Sequence, residues 1–342
     1  MKSRDFTTRS GKTLTLSEIG FGTAPLGDLF KKLDEAEAQN TVRSAYADGV
    51  RMFDSSPHYG NGLAEARVGA ALRDKPRGDL VISTKIGRWM DPFTPVAERR
   101  ADVVSPGFAG GFPHKATFDY SYDGAMRSVE QSLLRTGFSR LDILLIHDCD
   151  VWTHGKDVDT RFAEAMSGAY KALDRLRSEG TVSAIGVGLN EADMCERFAK
   201  AGDFDVMLLA GRYSLLEQPA LSSFLPYAVE KNIGIILAGV FNSGILATGA
   251  IPDAKYNYSV APADVMSRVR EIEAVCKTHG VGLRQAAMRF AVLHPAVICL
   301  LLGAETAAEI RANVADVDVK VPDALWADLK HKGLLSETAP TA

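Results

Sequence analysis

The chain has 342 residues, 46% of them hydrophobic, with 39 basic against 43 acidic side chains. That balance excludes a disordered, collagenous or coiled-coil chain. A well-mixed net charge of −4 offers no basic face to nucleic acid or to a membrane surface. The longest apolar stretches, such as Ile233 to Phe241, are about half of the ~18–20 residues that a bilayer span needs. Met1 to Asp5 is charged and no apolar run follows it, so no secretory leader is expected. Cys149, Cys195, Cys276 and Cys299 stand far apart with no C-x-x-C spacing, which reads as reduced thiols of a cytoplasmic protein.

Taken in chain order, the segment Phe6 to Ser17, turning at Ser10-Gly11, predicts a β-hairpin. Eight short, nearly continuous apolar runs then predict strands buried on both faces: Glu18–Gly22, Val50–Asp54, Leu80–Lys85, Leu141–His147, Val182–Gly188, Asp205–Leu209, Ile233–Ala238 and Val297–Leu302. Helical patterns lie between them. Ala38–Asp48 and Leu63–Arg73 come first. Tyr122–Thr136 follows, and then one stripe of Phe162, Met166, Tyr170, Leu173 and Leu176. Gly137 and Gly180 stand where helix stops belong. Ala192–Lys200, Pro219–Lys231, Ala263–Thr278, Arg284–Leu293 and Thr306–Val314 continue the series, and a last helical segment lies within 322–335. The stretch Trp89 to Tyr120 has no periodicity and is rich in Pro and Gly, including Pro95, Pro106 and Gly107, so it predicts a long functional loop after strand three.

Eight βα units without a break in composition predict one domain over 1–342, an α/β fold closed as a (β/α)8 TIM barrel. A doubly wound dinucleotide fold would need a glycine fingerprint in its first βα turn. Gly20-Phe21-Gly22-Thr23-Ala24-Pro25 puts Pro at the third glycine, and Gly186-Val187-Gly188-Leu189-Asn190-Glu191 also fails at its end.

In a barrel, catalysis sits at the C-terminal ends of the strands. There the chain carries Asp54, Tyr59 five residues on, Lys85 and His147. A phenol titrates near ~10 and is a poor proton carrier at neutral pH. A buried ammonium beside it favours the phenolate, so Lys85 is expected to lower the pKa of Tyr59, with Asp54 keeping Lys85 charged. His147 would hydrogen-bond the substrate oxygen while Tyr59 gives or takes its proton. Singly, each residue has a plainer reading: a cap, a surface ring, a solvated terminus, a structural histidine. Together on three consecutive strand ends they point to carbonyl–alcohol redox chemistry. Cys149 lies past its strand end, without the setting of an acyl-enzyme nucleophile. The seven histidines show no paired ligand spacing, so no metal is expected.

In this order, Asp54 and Tyr59 (in Asp-Ser-Ser-Pro-His-Tyr-Gly-Asn-Gly), Lys85 (in Ser-Thr-Lys-Ile-Gly) and His147 (in Leu-Leu-Ile-His-Asp) resemble the catalytic tetrad of the aldo-keto reductases. Residues 19 to 27 and 132 to 144 are similar to that family too. The resemblance implies a TIM barrel that binds an extended nicotinamide cofactor. Residues 118–124, 209–218 and 239–246 resemble the NAD-linked branch that oxidises aldoses at C1, D-threo-aldose and L-fucose dehydrogenases among them, with pyridoxal 4-dehydrogenase similar to the same branch. It implies oxidation of a hemiacetal hydroxyl to a lactone, with an NADPH-dependent carbonyl reductase and a non-catalytic cofactor-sensing barrel as the alternatives.

For the cofactor, the resemblance implies Gly22 and Thr23 near the nicotinamide ribose, Asn190 at the carboxamide and Tyr213 stacked on the nicotinamide. It implies Phe241, Asn242, Ser243, Gly244 and Leu246 over the pyrophosphate, and Gly303, Glu305, Glu309 and Asn313 at the adenosine end. Glu305 and Glu309, one helical turn apart, would repel a 2′-phosphate, which favours NAD over NADP. Acids are also favoured in a helix first turn for their own sake. His58, Trp89 and Trp152 are expected to line the pocket of a small sugar or pyridoxal-like substrate. The expected assembly is a monomer or small homo-oligomer.

Overall fold

The computed structural model describes residues 1–93 and 108–341. The N-terminal hairpin pairs β1 (Ser3–Thr7) with β2 (Thr13–Ser17), Phe6 facing Leu14. Eight parallel strands then close into a barrel: β3 (Ile19–Gly22), β4 (Met52–Asp54), β5 (Val81–Ile86), β8 (Ile143–His147), β9 (Ala184–Leu189), β10 (Val206–Ala210), β11 (Gly234–Ala238) and β14 (Val297–Gly303). All eight apolar runs read from the sequence form these strands. Closure is made by β14, which pairs β11 on one side and β3 on the other.

Two packed layers hold the barrel. Inside it, Met52, Val81, Ile143, Leu145, Val206, Leu208, Ile236 and Leu301 form one buried cluster. Phe6, Leu14 and Leu16 of the hairpin join this cluster and plug the end of the barrel opposite the strand C-termini. The outward side chains of the strands pack on the surrounding helices in a second, larger core. Helix ends follow local chemistry. Ser121 accepts from Gly124 N at the start of Tyr122–Thr136, and Gly137 ends it with φ 68°.

Two expectations change. The stripe from Phe162 to Leu176 is not one helix but two, Val158–Ser167 and Ala169–Ser178. The break is at Gly168, where a Cβ would stand 2.7 Å from Tyr120 O, while Ala169 N donates to that same oxygen. The stretch after β5 is not a plain loop either. It carries an antiparallel ribbon of β6 (Arg88–Asp91) and β7 (Lys115–Phe118), and Phe108 bridges to Leu29. Pro95, Pro106 and Gly107 lie outside the described residues. A further ribbon, β12 (Lys255–Tyr256) with β13 (Ser259–Val260), follows β11. The last helix is Asp323–His331, inside the expected 322–335. No helix among the described residues is long and apolar enough to cross a membrane.

Candidate active site

The register of the barrel decides which side chains meet. Gly303, Gly22 and Asp54 are neighbours across β14, β3 and β4, and Asp54 aligns with Ser83 on β5. Ser83 and Lys85 are two residues apart, so strand alternation aims both at the same side. Lys85 Nζ is buried and donates to three oxygens: Asp54 Oδ2 at 2.5 Å, Ser55 O at 2.7 Å and Tyr59 OH at 3.1 Å. Ser83 Oγ donates to Asp54 Oδ1 at 2.7 Å. The ammonium therefore has its donors fully engaged, and the carboxylate has a partner on each oxygen.

The electrostatics correct one expectation. Burial pushes Tyr59 up to about 12, and the attraction of Lys85 offsets only part of that because Asp54 opposes it. Tyr59 is thus a neutral phenol in this site, a proton donor first. Burial favours loss of the proton on Lys85, but the carboxylate of Asp54 and the phenol oxygen outweigh it and raise its pKa. Burial raises Asp54 in spite of Lys85.

The Tyr59 and His147 rings meet edge to face, centroids 6.0 Å apart. His147 Nδ1 faces Ser56 Oγ at 3.1 Å and Arg88 Nη1 at 3.4 Å. A guanidinium only donates, and Ser56 Oγ already accepts from His58 N, so Nδ1 is the acceptor. The proton then sits on Nε2, where it can be offered to a substrate oxygen. Burial, with Lys85 and Arg88 adding to it, holds His147 well below its usual range and keeps it neutral. Tyr120 OH donates to His147 O at 2.8 Å and fixes the strand end. Ser56, Ser83, Arg88 and Tyr120 escaped the reading of the sequence. Ser83 was findable from its alternation with Lys85, and Ser56 from its place inside the Asp-Ser-Ser-Pro turn. Arg88 follows Lys85 by three residues across Gly87, a spacing without periodic meaning.

A nicotinamide dinucleotide needs an open surface with positive charge beside these groups. The turn after β11 provides it. Gly239 is exposed at φ 65°, and a Cβ there would lie 2.7 Å from Gly211 N, so no side chain can fill the place. Asn242, Ser243 and Gly244 also have positive φ, and the N–H groups of Asn242 and Gly244 close the turn by donating to Gly239 O and Phe241 O, both at 2.9 Å. Two cations flank this turn: Arg212, whose Nη1 donates to Gly211 O, and Arg284, 5.8 Å from the ring centre of Phe241. The open place at Gly239 and the two guanidiniums beside it fit a dinucleotide pyrophosphate. Asn190, Phe241, Ser243, Gly22 and Gly303 keep partly or fully open surface on the same rim.

Other residues expected at the cofactor do not present themselves. Tyr213 is completely enclosed, its ring against Phe290 and His294, so it is a core residue with no face to stack on. Leu246 is equally enclosed. Thr23 is also fully buried, and its hydroxyl donates to Asp54 O at 2.9 Å. Asn242 is spent on the turn itself, bonding Ser214 Oγ and Gly211 O. Asn313 Oδ1 is held by Arg284 at 2.6 Å. Glu309 caps its own helix by accepting from Glu305 N at 2.7 Å, and Glu305 pairs with Lys31 at 2.6 Å. Around the pocket, His58 packs against His147 and Phe108. Trp152 is exposed on the short turn after β8. Trp89 faces away: alternation on β6 sends Arg88 to His147 and Trp89 to the other side, under Arg127. The thiol of Cys149 is buried and pushed up to about 12 by that burial, so it is no nucleophile.

Residues 18–333 match the aldo/keto reductase family. The chain is 38% identical to a pyridoxal 4-dehydrogenase of Microbacterium luteolum, over 95% of this chain and 97% of that one. It is 35% identical to a D-threo-aldose 1-dehydrogenase of Pseudomonas sp, over 94% and 95%. An aldo-keto reductase from Bacillus halodurans, solved in its holo form, superposes with a TM-score of 0.73 at 21% identity, covering 97% of this chain and 96% of that one.

The chain belongs to the aldo/keto reductase family.

It is an NAD(P)-dependent oxidoreductase on the (β/α)8 barrel of that family.

Proposed function

We propose that this aldo/keto reductase oxidises the hemiacetal carbon of a cyclic aldose to a lactone, with NAD as the acceptor and Tyr59 as the acid–base group. The observation that carries the reading is the chain Asp54–Lys85–Tyr59 beside a neutral His147 whose Nε2–H has only a long 3.3 Å contact, to Asp148 Oδ1, among the described residues. A bound nicotinamide supplies the hydride acceptor. Tyr59, as phenolate, takes the proton of the anomeric hydroxyl. Lys85 stabilises the phenolate, and Asp54 keeps Lys85 charged and in place. His147 Nε2–H donates to the same oxygen, orients it and supports negative charge as it develops. Because Tyr59 stands near 12 in the free site, its phenolate fraction grows with pH and oxidation accelerates on the alkaline side.

NAD is favoured over NADP by charge. Glu305 is neutralised by Lys31, but the carboxylate of Glu309 forms no ion pair among the described residues and would repel a 2′-phosphate. Oxidation of pyridoxal is the second reading, favoured by the 38% identity to a pyridoxal 4-dehydrogenase. Pyridoxal also closes to a cyclic hemiacetal, so the same proton and hydride movements give its lactone. A cytoplasmic enzyme with a small-molecule partner goes with either reading. NAD and NADP reduction at alkaline pH with L-fucose, D-arabinose, L-galactose and pyridoxal tests both, with the lactone identified in each product. Aldose turnover with the higher kcat/KM for NAD is expected. Turnover of simple carbonyls alone, with NADPH, would overturn the assignment.

A further inference from the structure

Asp148 follows His147 at the mouth, and its backbone is left-handed, as are those of Asn61, Asn242 and Ser243. Its φ is 49°, left-handed for a residue with a Cβ, and its N–H donates to Gly188 O. Such strain persists where surrounding contacts impose it, and it clusters at functional sites. The side chain of Asp148 is held by Arg88, whose Nη2 lies 2.8 Å from Asp148 Oδ2. Arg88 is itself fixed: its carbonyl accepts from Ser128 Oγ, its guanidinium covers the ring of Phe118 at 4.2 Å, and it is buried. One oxygen of Asp148 is thus anchored. The other, Oδ1, meets only His147 Nε2 among the described residues, at 3.3 Å, longer than a good N–H···O bond. The Asp148 side chain keeps 16% exposure. An ionised acceptor with an unfilled oxygen therefore stands beside the atom that holds the reacting oxygen.

Vicinal oxygens on a sugar ring lie within hydrogen-bonding distance of each other. An anomeric oxygen held between Tyr59 OH and His147 Nε2 brings the C2 hydroxyl next to Asp148 Oδ1. We propose that Asp148, anchored by Arg88, is a specificity-determining residue that accepts a hydrogen bond from the hydroxyl adjacent to the reacting carbon. The site thereby selects cyclic hemiacetals that carry a neutral hydroxyl donor at that position. Pyridoxal carries no hydroxyl on the carbon next to its hemiacetal carbon; its phenolic oxygen lies one carbon further away. The inference rests on the aldose reading above.

D-arabinose and 2-deoxy-D-ribose differ only in the C2 hydroxyl, which makes them the probe. The wild-type chain is expected to favour D-arabinose in kcat/KM by about 10- to 100-fold, mostly through KM, the range of a hydrogen bond to a charged group. Asp148→Asn is the matching variant, because asparagine tolerates a left-handed backbone. Arg88 has only donors to offer and claims the amide oxygen, which turns the NH2 group to the pocket and removes the acceptor. In that variant the preference is expected to fall to within about threefold of unity, since most of one charged hydrogen bond is lost. The decisive quantity is the wild-type preference divided by that of the variant, in which any intrinsic difference between the two sugars cancels. Equal use of both sugars by the wild type, or a preference kept in the variant, overturns the proposal and leaves the aldose reading intact. Loss of kcat on both sugars alike, with the ratio kept, reassigns Asp148 to holding His147 and also overturns it. Turnover of pyridoxal without either sugar overturns the aldose reading, and the proposal with it.

Discussion

Replacing Lys85 by methionine removes the charge on which Tyr59 depends while keeping similar volume. At 3.1 Å the ammonium attracts a phenolate by about 5 kcal/mol at an effective dielectric near 20. Asp54 works against it. The contacts of 2.5 and 3.1 Å laid end to end put that carboxylate no more than about 5.6 Å from the phenol oxygen, a repulsion of about 3 kcal/mol or more. Without Lys85, Asp54 is already raised by burial and has lost its counter-charge, so it takes up a proton and the repulsion disappears too. The net electrostatic loss is about 2 kcal/mol, and the lost charge-assisted hydrogen bond adds about as much. At 1.36 kcal/mol per decade the expected fall in the oxidation rate is about 1000-fold near pH 8. The assay is steady-state NAD reduction from pH 7 to 10 beside thermal unfolding. Lys85→Met is expected to lower stability by about 3–5 kcal/mol as a broken buried pair. Adding Asp54→Asn should return most of the stability and none of the rate. A loss under about tenfold across that pH range, or activity that returns with stability, would refute the coupling of Lys85 to Tyr59.

Two further outcomes follow from burial. His58 and His147 stand well below the usual imidazole range, and His294 is lowered to about 4, all chiefly through burial. The unfolded chain takes up those protons near ~6.5 while the folded chain does not, so stability is full above that pH and is lost as pH falls toward 4. His294 alone accounts for up to roughly 3 kcal/mol, and urea midpoints at pH 7.5, 5.5 and 4.5 should decline in that order; a flat series from 7.5 to 4.5 would contradict it. All four cysteines are buried, with Cys149 pushed up to about 12, Cys276 to about 11, and Cys195 and Cys299 upward by burial as well. Ellman's reagent at pH 8 should therefore label none quickly in the native chain and all of them in urea. Fast native labelling would place a thiol at the surface.

Much of this was legible because two signals are strong in one dimension. A strand buried on both faces must be apolar throughout, so each of the eight runs could be found, and the polar residues ending β4, β5 and β8 stood out against them. What remained hidden depends on three-dimensional closeness. Nothing in Phe162 to Leu176 announces that Tyr120 O passes by Gly168 and ends a helix there. Tyr213 sits in a loop, where no periodicity tells a core ring from a stacking platform. Glu309 could be read as a repelling charge or as a cap, and its bond to Glu305 N makes it a cap that still carries its charge. The sign of the Tyr59 shift was misjudged for a related reason. The attraction of Lys85 can be inferred from residue types, but the extent of burial and the opposing Asp54 cannot be weighed without distances.

The claim at the centre is that the phenol oxygen of Tyr59 carries the proton of the reaction. Tyr59→Phe removes that one atom and leaves Lys85 bonded to Asp54 and to Ser55 O. Parallel measurement of kcat for aldose oxidation and of NAD binding by fluorescence quenching tests it directly. The expected result is a fall in kcat of about 100- to 10,000-fold with NAD affinity essentially unchanged. A variant that keeps more than about a tenth of the wild-type kcat would contradict the assignment.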